Sequence, residues 1–496
     1  MRELFDRRFD VLVIGGGITG CGVARDAAMR GLTVALVERD DFASGTSGRS
    51  SRLVHGGIRY LEQGQLHLVY ESIRERQTLL RIAPHLVRPL AFTWPIYHGV
   101  RVGRLKLGAG LLLYQLMALG RSHRPSFFSA HKTLDREPSL RPKDLKGGAI
   151  YYDAATNDSR LTLATAISAA DHGAVVSNHT RVTRIINEKG RAVAAEIRSA
   201  LSGEVAKVRA KTIVNATGVW QNAADAIKHG TRLRGSKGVH IAVPRARVGN
   251  RDAITMISSL DGRVMFCLPA GAHTIIGTTD TWTDESPEDV HASMADVEYL
   301  LRSANSYFPS ARLTSDDVVS AWAGIRPLVA TQSKNPTAAS REHSIVTDES
   351  GVISVTGGKL TTYRSMAAEI VDRVQLALGQ TVRSSPTDRV LLAGSDRDEE
   401  MSRLTEQNQT WARTLADNLS YTAADLIYAV KHEMAKTLSD LLIRRTHLAF
   451  ETRDHGKSVA SLAADLVAPL LDWDQDTKRA RISEYNADVE RVFGIR

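Results

Sequence analysis

The chain has 496 residues, 43% of them hydrophobic and 24% charged. That balance excludes wholesale disorder and collagen-like repetition, and the two cysteines, Cys21 and Cys267, are too far apart to suggest a disulfide framework or a cysteine zinc site. The net charge of +9 resides in one stretch: the acid-free run from Arg76 to Leu134 holds nine Lys and Arg, and the rest balances at 55 basic against 55 acidic, which points to one local anionic partner and away from nucleic acid.

Phe9-Asp10-Val11-Leu12-Val13-Ile14 is a short apolar, β-branched run, the pattern of a buried parallel strand. Gly15-x-Gly17-x-x-Gly20 follows, then a helical pattern over Cys21 to Arg30 and a second strand from Thr33 to Val37 that ends on Glu38. In this βαβ setting each glycine has a function. Gly15 permits the tight turn, Gly17 lets the backbone approach a pyrophosphate, and Gly20 lets helix and strand pack closely. The helix start offers unpaired N–H groups to phosphates. Glu38 is placed to accept ribose hydroxyls and to repel a 2′-phosphate, which disfavours NADP and leaves NAD and FAD open.

Within the acid-free run, Leu107 to Leu119 is nearly apolar but shorter than the ~20 residues that span a bilayer. Leu105, Leu112, Leu116 and Leu119 fall on one helical face. Arg101, Arg104 and Lys106 precede them, and Arg121 and Arg124 follow. This suits an interfacial anchor on an anionic surface, with a core helix as the alternative. The first residues lack the apolar core of a signal peptide. The expected location is therefore cytoplasmic, with peripheral attachment to the inner face of the cytoplasmic membrane.

Leu161 to His172 reads as a helix, Ala174 to Val176 and Thr180 to Ile186 as strands, and Glu196 to Ile213 as a hairpin turning at Ser202-Gly203. The apolar strand into Ala216-Thr217-Gly218 is of the kind that contacts the cofactor in flavoproteins, although an ordinary strand and turn fits as well. Val239 to Val243, Val264 to Leu268 and Thr274 to Ile276 suggest a second sheet. Gly351 to Thr356 returns to a buried strand and Thr361 to Leu378 to a helix. Ser384-Ser385-Pro386 reads as a linker into a mostly helical remainder. No D-x-D-x-D-G loop follows, so calcium control is not expected, and no metal site is read from the sequence.

Several segments together resemble the FAD-dependent glycerol-3-phosphate dehydrogenases. They are Ser50-Ser51-Arg52-Leu53-Val54-His55-Gly56-Gly57-Ile58-Arg59-Tyr60-Leu61-Glu62, Gly277-Thr278-Thr279-Asp280, Gly324-Ile325-Arg326-Pro327-Leu328, Ser340-Arg341-Glu342-His343 and Gly357-Gly358-Lys359-Leu360-Thr361-Thr362-Tyr363-Arg364. The resemblance implies a mixed α/β fold of the glycine-oxidase and glutathione-reductase type. In it, residues 1–384 form the FAD-dependent module. FAD-binding segments lie near 8–100, 160–235 and 340–384. A β-sheet substrate domain occupies mainly 100–160 and 236–340, and residues 385–496 form a helical cap.

The implied reaction oxidises sn-glycerol 3-phosphate to dihydroxyacetone phosphate, with electrons passed to a membrane quinone in glycerol metabolism. A glycerophosphate oxidase using oxygen is the nearer alternative. A flavoprotein that binds tRNA or acts as a membrane scaffold is the remoter one. A homodimer is implied by analogy.

The resemblance assigns Arg59, Tyr60, Thr279, Arg326, Arg341 and Lys359 to the substrate. It assigns Gly15, Gly17, Gly20, Glu38, Ser50, His55, Gly57, Ala216, Thr217, Gly218, Gly358, Lys359, Leu360, Thr361 and Thr362 to FAD. Arginine suits a phosphate dianion because its planar fork pairs two oxygens at once. His240 and His55 are the candidate proton acceptors, with His240 nearer the substrate and His55 against the cofactor. Arg326 and Lys359 complete the catalytic set, Lys359 as a cation beside the flavin ring. If His240 is the base, activity is expected to fall as pH drops through the ordinary histidine range.

Overall fold

The computed structural model describes residues 2–5, 7–118, 124–222, 233–329 and 342–496. Two sheets organise the first 384 residues. The first has the strand order His343–Thr347, Ile353–Gly357, Val205–Asn215, Arg8–Ile14, Val34–Val37, Val175–Ser177, with the hairpin strands Thr180–Glu188 and Arg191–Ser199 leading off Val205–Asn215. The strands from Ile353–Gly357 to Val175–Ser177 run parallel. Parallel strands bury both faces, which is why Val11 to Val13 and Val34 to Val37 carry no polar residue. The helix Ile18–Met29 packs against helices Asp158–Asp171 and Tyr363–Ala377 through Cys21, Ala24, Ala27, Ala166, Ala367 and Ile370. Small residues allow that close approach, and a Cβ on Gly22 would lie 2.9 Å from the Tyr363 ring.

The second sheet centres on the long strand Leu233–Pro244, which pairs with Ser320–Val329 on one side and with His273–Gly277 and Thr281–Thr283 on the other. It continues through Val264–Ala270, Ala253–Ile257, Val87–Tyr97 and Leu145–Thr156 to Leu53–Val54. The expected boundary of the substrate domain near residue 100 is therefore too late, because Val87–Tyr97 already belongs to this sheet. Phe92, Trp94 and Ile96 alternate into its core despite Pro89 and Pro95.

The chain after residue 385 is mainly helical, with Arg397–Gln407, Ala423–His432, Ala460–Leu471 and Gln475–Phe493 as its longer helices. It shares one hydrophobic core with the second sheet: Phe450 and Phe493 belong to the same cluster as Trp94, Tyr151 and Trp322.

The helix Arg104–Met117 buries Leu107, Leu111 and Tyr114 and presents the opposite face to solvent, leaving Leu105 91% exposed, Leu112 60% and Leu116 63%. Leu119 and Arg121 lie outside the described residues. No helix of the described residues is long and apolar enough to cross a membrane.

Candidate active site

A cavity of about 770 Å³ runs between the two sheets. At one end it is lined by Gly15, Gly17, Glu38, Arg39 and Ala216 to Trp220. At the other it is lined by His55, Tyr60, Asp153, His240, Thr278, Arg326 and Gly357 to Thr361.

The first end has the geometry the glycine spacing demands. Gly15 adopts φ +108, and a Cβ there would lie 2.7 Å from the Ala216 carbonyl oxygen. A Cβ on Gly20 would lie 1.9 Å from the Gly15 oxygen, so strand and helix meet with no room for a methyl group. Above Gly17, a built Cβ would meet Ser47 Oγ at 3.2 Å and, among the described residues beyond its chain neighbours, nothing else within 4 Å, which leaves the helix start open to the cavity. Glu38 closes the second strand and accepts hydrogen bonds from the Gly16 N–H (2.5 Å) and the Asp40 N–H (2.8 Å). Burial pushes its carboxyl up to about 7. A cradle that a side chain would fill, beside a carboxylate at the strand end, fits a dinucleotide with free ribose hydroxyls.

Sequence reading missed the wall of this end. Arg39 lies 4.6 Å over the Trp220 ring and pairs with Glu288 at 2.7 Å. Glu288 arrives from a distant loop, so spacing alone carries no signal for it.

The second end gathers most of the predicted residues. His240 sits on the central strand of the second sheet, stacked on Trp322 at 5.5 Å between ring centroids, with Nε2 2.8 Å from Ser51 Oγ. Its Nδ1 is buried without a hydrogen-bond partner. Burial, and then Arg326 and Arg52, hold the imidazole down at about 3. This corrects the expected histidine limb: His240 is neutral throughout the physiological range.

Arg326 donates to Thr278 Oγ1 at 3.1 Å and to Asp280 Oδ1 at 3.2 Å. It lies over Gly238, where a Cβ would come within 2.3 Å of the guanidinium. Lys359 Nζ stands 4.3 Å over the Tyr60 ring. Tyr60 in turn packs on Gly57, whose φ of +72 and lack of a side chain allow it. His55 donates its backbone N–H to Thr361 Oγ1 at 3.1 Å, which ties the two signature loops together.

Other expectations need amendment. Thr279 turns away from the cavity: its Oγ1 accepts the Val239 N–H at 2.9 Å, and Thr278 lines the cavity instead. Ser50 lines the cavity, but its hydroxyl is committed to Asp158 at 2.7 Å. Gly20 and Thr362 lie behind the wall, Gly20 as a packing contact and Thr362 at the start of the helix Tyr363–Ala377. Gly218, Gly358 and Leu360 line the cavity as expected. The Arg59 side chain and all of Arg341 lie outside the described residues.

Comparison with known proteins gives the family. A family described as FAD dependent oxidoreductase matches residues 10–364, and one described as the C-terminal domain of alpha-glycerophosphate oxidase matches residues 386–478. The chain is 36% identical to glycerol-3-phosphate dehydrogenase 2 of Mycobacterium tuberculosis, over 99% of this chain and 89% of that one. It is 32% identical to the aerobic glycerol-3-phosphate dehydrogenase of Staphylococcus saprophyticus, over 99% and 96%. Among solved structures, the glycerol-3-phosphate dehydrogenase from Bacillus halodurans complexed with FAD superposes with a TM-score of 0.81 at 31% identity, covering 99% of this chain and 96% of that one. Glycine oxidase from Geobacillus kaustophilus shares the fold alone, at 19% identity, a TM-score of 0.57 and coverage of 78% and 99%. The chain therefore belongs to the FAD-dependent oxidoreductases and, within them, to the glycerol-3-phosphate dehydrogenases.

Proposed function

We propose that this FAD-dependent glycerol-3-phosphate dehydrogenase works at a membrane surface and delivers its electrons to a membrane quinone. The observation that carries the reading is the exposed face of the helix Arg104–Met117. Three leucines there are more than half exposed, while the opposite face is buried. Phe127 extends the patch, under Arg104 at 5.9 Å. The surrounding charge is smaller than composition suggests, because Glu62 pairs with both Arg101 (3.0 Å) and Lys106 (2.8 Å). Arg104 and Arg124 remain for anionic headgroups, each contributing about 1 kcal/mol near such a surface. An apolar face of this size with basic flanks suits the interfacial mode of binding, in which leucines enter the headgroup boundary.

Within the cavity, Arg326, Lys359 and Tyr60 converge from three separate segments and supply the cations and donor that a phosphate dianion requires. His240 is assigned as the acceptor of the substrate hydroxyl proton. It is neutral before substrate arrives, so no proton has to leave it first, but a value of about 3 makes it a weak base until the charge around it changes. A phosphate dianion beside Arg326 offsets one of the two guanidiniums that depress the imidazole, which raises its proton affinity as substrate binds. Ser51 holds the ring through Nε2, and Trp322 fixes its plane. FAD, when bound, supplies the hydride acceptor. His55 supports this cavity wall through Thr361.

Two measurements test the reading. Anionic vesicles should co-sediment the FAD-loaded protein at low salt and release it at high salt, and Leu112→Glu with Leu116→Glu should abolish binding without changing flavin reduction by glycerol 3-phosphate. Vesicles carrying a quinone should reoxidise the enzyme faster than dissolved oxygen does. Faster turnover with oxygen, with peroxide formed, would replace the dehydrogenase acceptor with that of an oxidase.

A further inference from the structure

Beside the loop from His55 to Tyr60 lies a buried polar cluster, with Asp153 on the cavity wall, that the proposed chemistry does not use. Asp153 Oδ1 accepts three hydrogen bonds: from the Gly56 N–H at 3.0 Å, from the Tyr114 hydroxyl at 2.6 Å, and from Arg76 in a short ion pair. Arg76 also donates to Tyr114 Oη at 3.0 Å and to the Tyr152 carbonyl at 2.9 Å. The four groups come from four elements: the loop after strand Leu53–Val54, the helix Leu66–Ile82, the helix Arg104–Met117 and the strand Leu145–Thr156. Arg76, Tyr114 and Asp153 are all buried.

We infer that Tyr114 is a positioning residue for the substrate loop, acting through Asp153 on the Gly56 amide. The fit at Gly56 is close. A Cβ there would lie 2.1 Å from the Tyr114 hydroxyl and 2.7 Å from Ile73 Cγ1, so the loop backbone rests directly on these two side chains. From Gly56 the loop continues into a tight turn. Gly57 takes a left-handed conformation, its carbonyl accepts the Tyr60 N–H at 2.8 Å, and the Tyr60 ring lies against Gly57 on one side and Lys359 on the other. A shift of the Gly56 amide therefore moves Tyr60 and, with it, the Lys359 ammonium. A buried ion pair is weak evidence for stability in itself, since two apolar residues often serve as well. Three donors on one oxygen, one of them the backbone of the loop that lines the cavity, instead fix a direction.

The inference rests on the phosphate role given to Tyr60 and Lys359, and the test separates the two. Tyr114→Phe keeps the ring and removes the hydroxyl. Ile73→Val trims the other support of Gly56 without touching a hydrogen bond. Tyr60→Phe removes the proposed phosphate donor itself. Each is measured as the FAD-loaded protein, with kcat and KM for glycerol 3-phosphate expressed per bound flavin beside a thermal melt. A phosphate contact is made equally in ground and transition states, so its misplacement raises KM and spares kcat. The expected result for Tyr114→Phe is a KM about tenfold above wild type with kcat within about twofold, while Ile73→Val melts lower with KM unchanged. A KM for Tyr114→Phe within twofold of wild type overturns the inference, as does an equal rise in Ile73→Val. If Tyr60→Phe raises KM and Tyr114→Phe does not, the phosphate reading stands and the positioning role falls. If Tyr114→Phe raises KM and Tyr60→Phe does not, the loop is positioned as proposed but another of its groups meets the substrate. Should Tyr114→Phe not load flavin, Arg76→Lys, which keeps the charge on Asp153 and loses the fork to Tyr114, decides by the same KM comparison.

Discussion

Acidification should destabilise this protein through His240, and the size of the effect follows from the site. The imidazole stacks on Trp322 of the neighbouring strand, and a Cβ on Gly277 would approach its Cδ2 to 2.3 Å, so the ring is closely packed where it meets the sheet. Its proton affinity falls from an ordinary 6.5 to about 3, first through burial and then through Arg326 and Arg52. In the unfolded chain the same ring titrates near 6.5. Between these two values the unfolded state binds the proton and the folded state does not, so stability is lost as pH falls through that window. At pH 5 the folded-state value is already far below the pH, and the loss is set by the unfolded ring alone: about 1.5 pH units at ~1.36 kcal/mol each, or about 2 kcal/mol. The assay is urea unfolding of the FAD-loaded protein at pH 8 and pH 5, for wild type and His240→Asn. Wild type should lose about 2 kcal/mol more than the variant over that interval. His447, which burial also holds well below its ordinary value, contributes to both proteins and cancels. Parallel losses would refute the argument. By the same reasoning an acid limb in kcat/KM belongs to the substrate phosphate, with a second pKa near ~6, and not to His240.

Gly20→Ala drives a methyl into the Gly15 carbonyl and should yield protein without flavin colour, whereas Gly17→Val meets only Ser47 Oγ in the protein and should fold but also lose flavin absorbance. Arg326→Ala should lower kcat/KM for glycerol 3-phosphate by roughly 10- to 100-fold, the worth of one bond to a charged group, while leaving the weak turnover of glycerol unchanged in steady-state assays. Asp41→Ala leaves the buried Arg445 without its carboxylate and should cost about 3–5 kcal/mol in urea unfolding, against little change for an exposed acid such as Asp476.

Local signals were legible in the sequence. The glycine spacing, the strand into Glu38, the hairpin turn and the stripe of Leu105, Leu112 and Leu116 depend on residues a few places apart, and each stands where the pattern puts it. Long-range pairings were not. Val87–Tyr97 carries two prolines that interrupt its alternation, and only its partners Leu145–Thr156 and Ala253–Ile257 make it a strand. The choice between Thr278 and Thr279 turns on which side of a bend faces Val239. Glu62 removes much of the charge expected around the helix because it lies outside the acid-free run yet pairs with Arg101 and Lys106 within it. The electrostatic state of His240 is likewise invisible in sequence, since the guanidiniums that depress it come from residues distant in the chain, Arg52 from a loop and Arg326 from the paired strand Ser320–Val329.

The C-terminal helices carry no motif, yet they hold both ends of the cavity. Asp41 follows Glu38 by one short turn, and its carboxylate accepts from Arg444 at 2.7 Å, from Arg445 at 2.5 and 2.9 Å, and from Asn178 at 2.9 Å. Asp440 accepts from Arg444 at 2.6 Å, from the Thr437 hydroxyl at 2.8 Å and from two backbone N–H groups, and it pairs with His179 at 2.9 Å. Asp41, His179 and Asp440 bring their ligand atoms within 4.8 Å of one another, a spacing that would suit a cation. Two guanidiniums already neutralise these carboxylates and occupy their lone pairs, so a divalent ion would have to displace both. The cluster is better understood as a clamp from the C-terminal helices onto the loop that follows the nucleotide-binding strand. At the other end, the Phe450 carbonyl accepts the Ser320 hydroxyl at 2.7 Å, and its ring meets Trp322 edge-on at 5.1 Å, directly behind His240. Arg52 lies over both rings, at 5.4 and 4.8 Å. Separating the C-terminal helices from the rest would thus strip the wall behind His240 and take both guanidiniums from Asp41, so these helices complete the surroundings of the cavity at both ends.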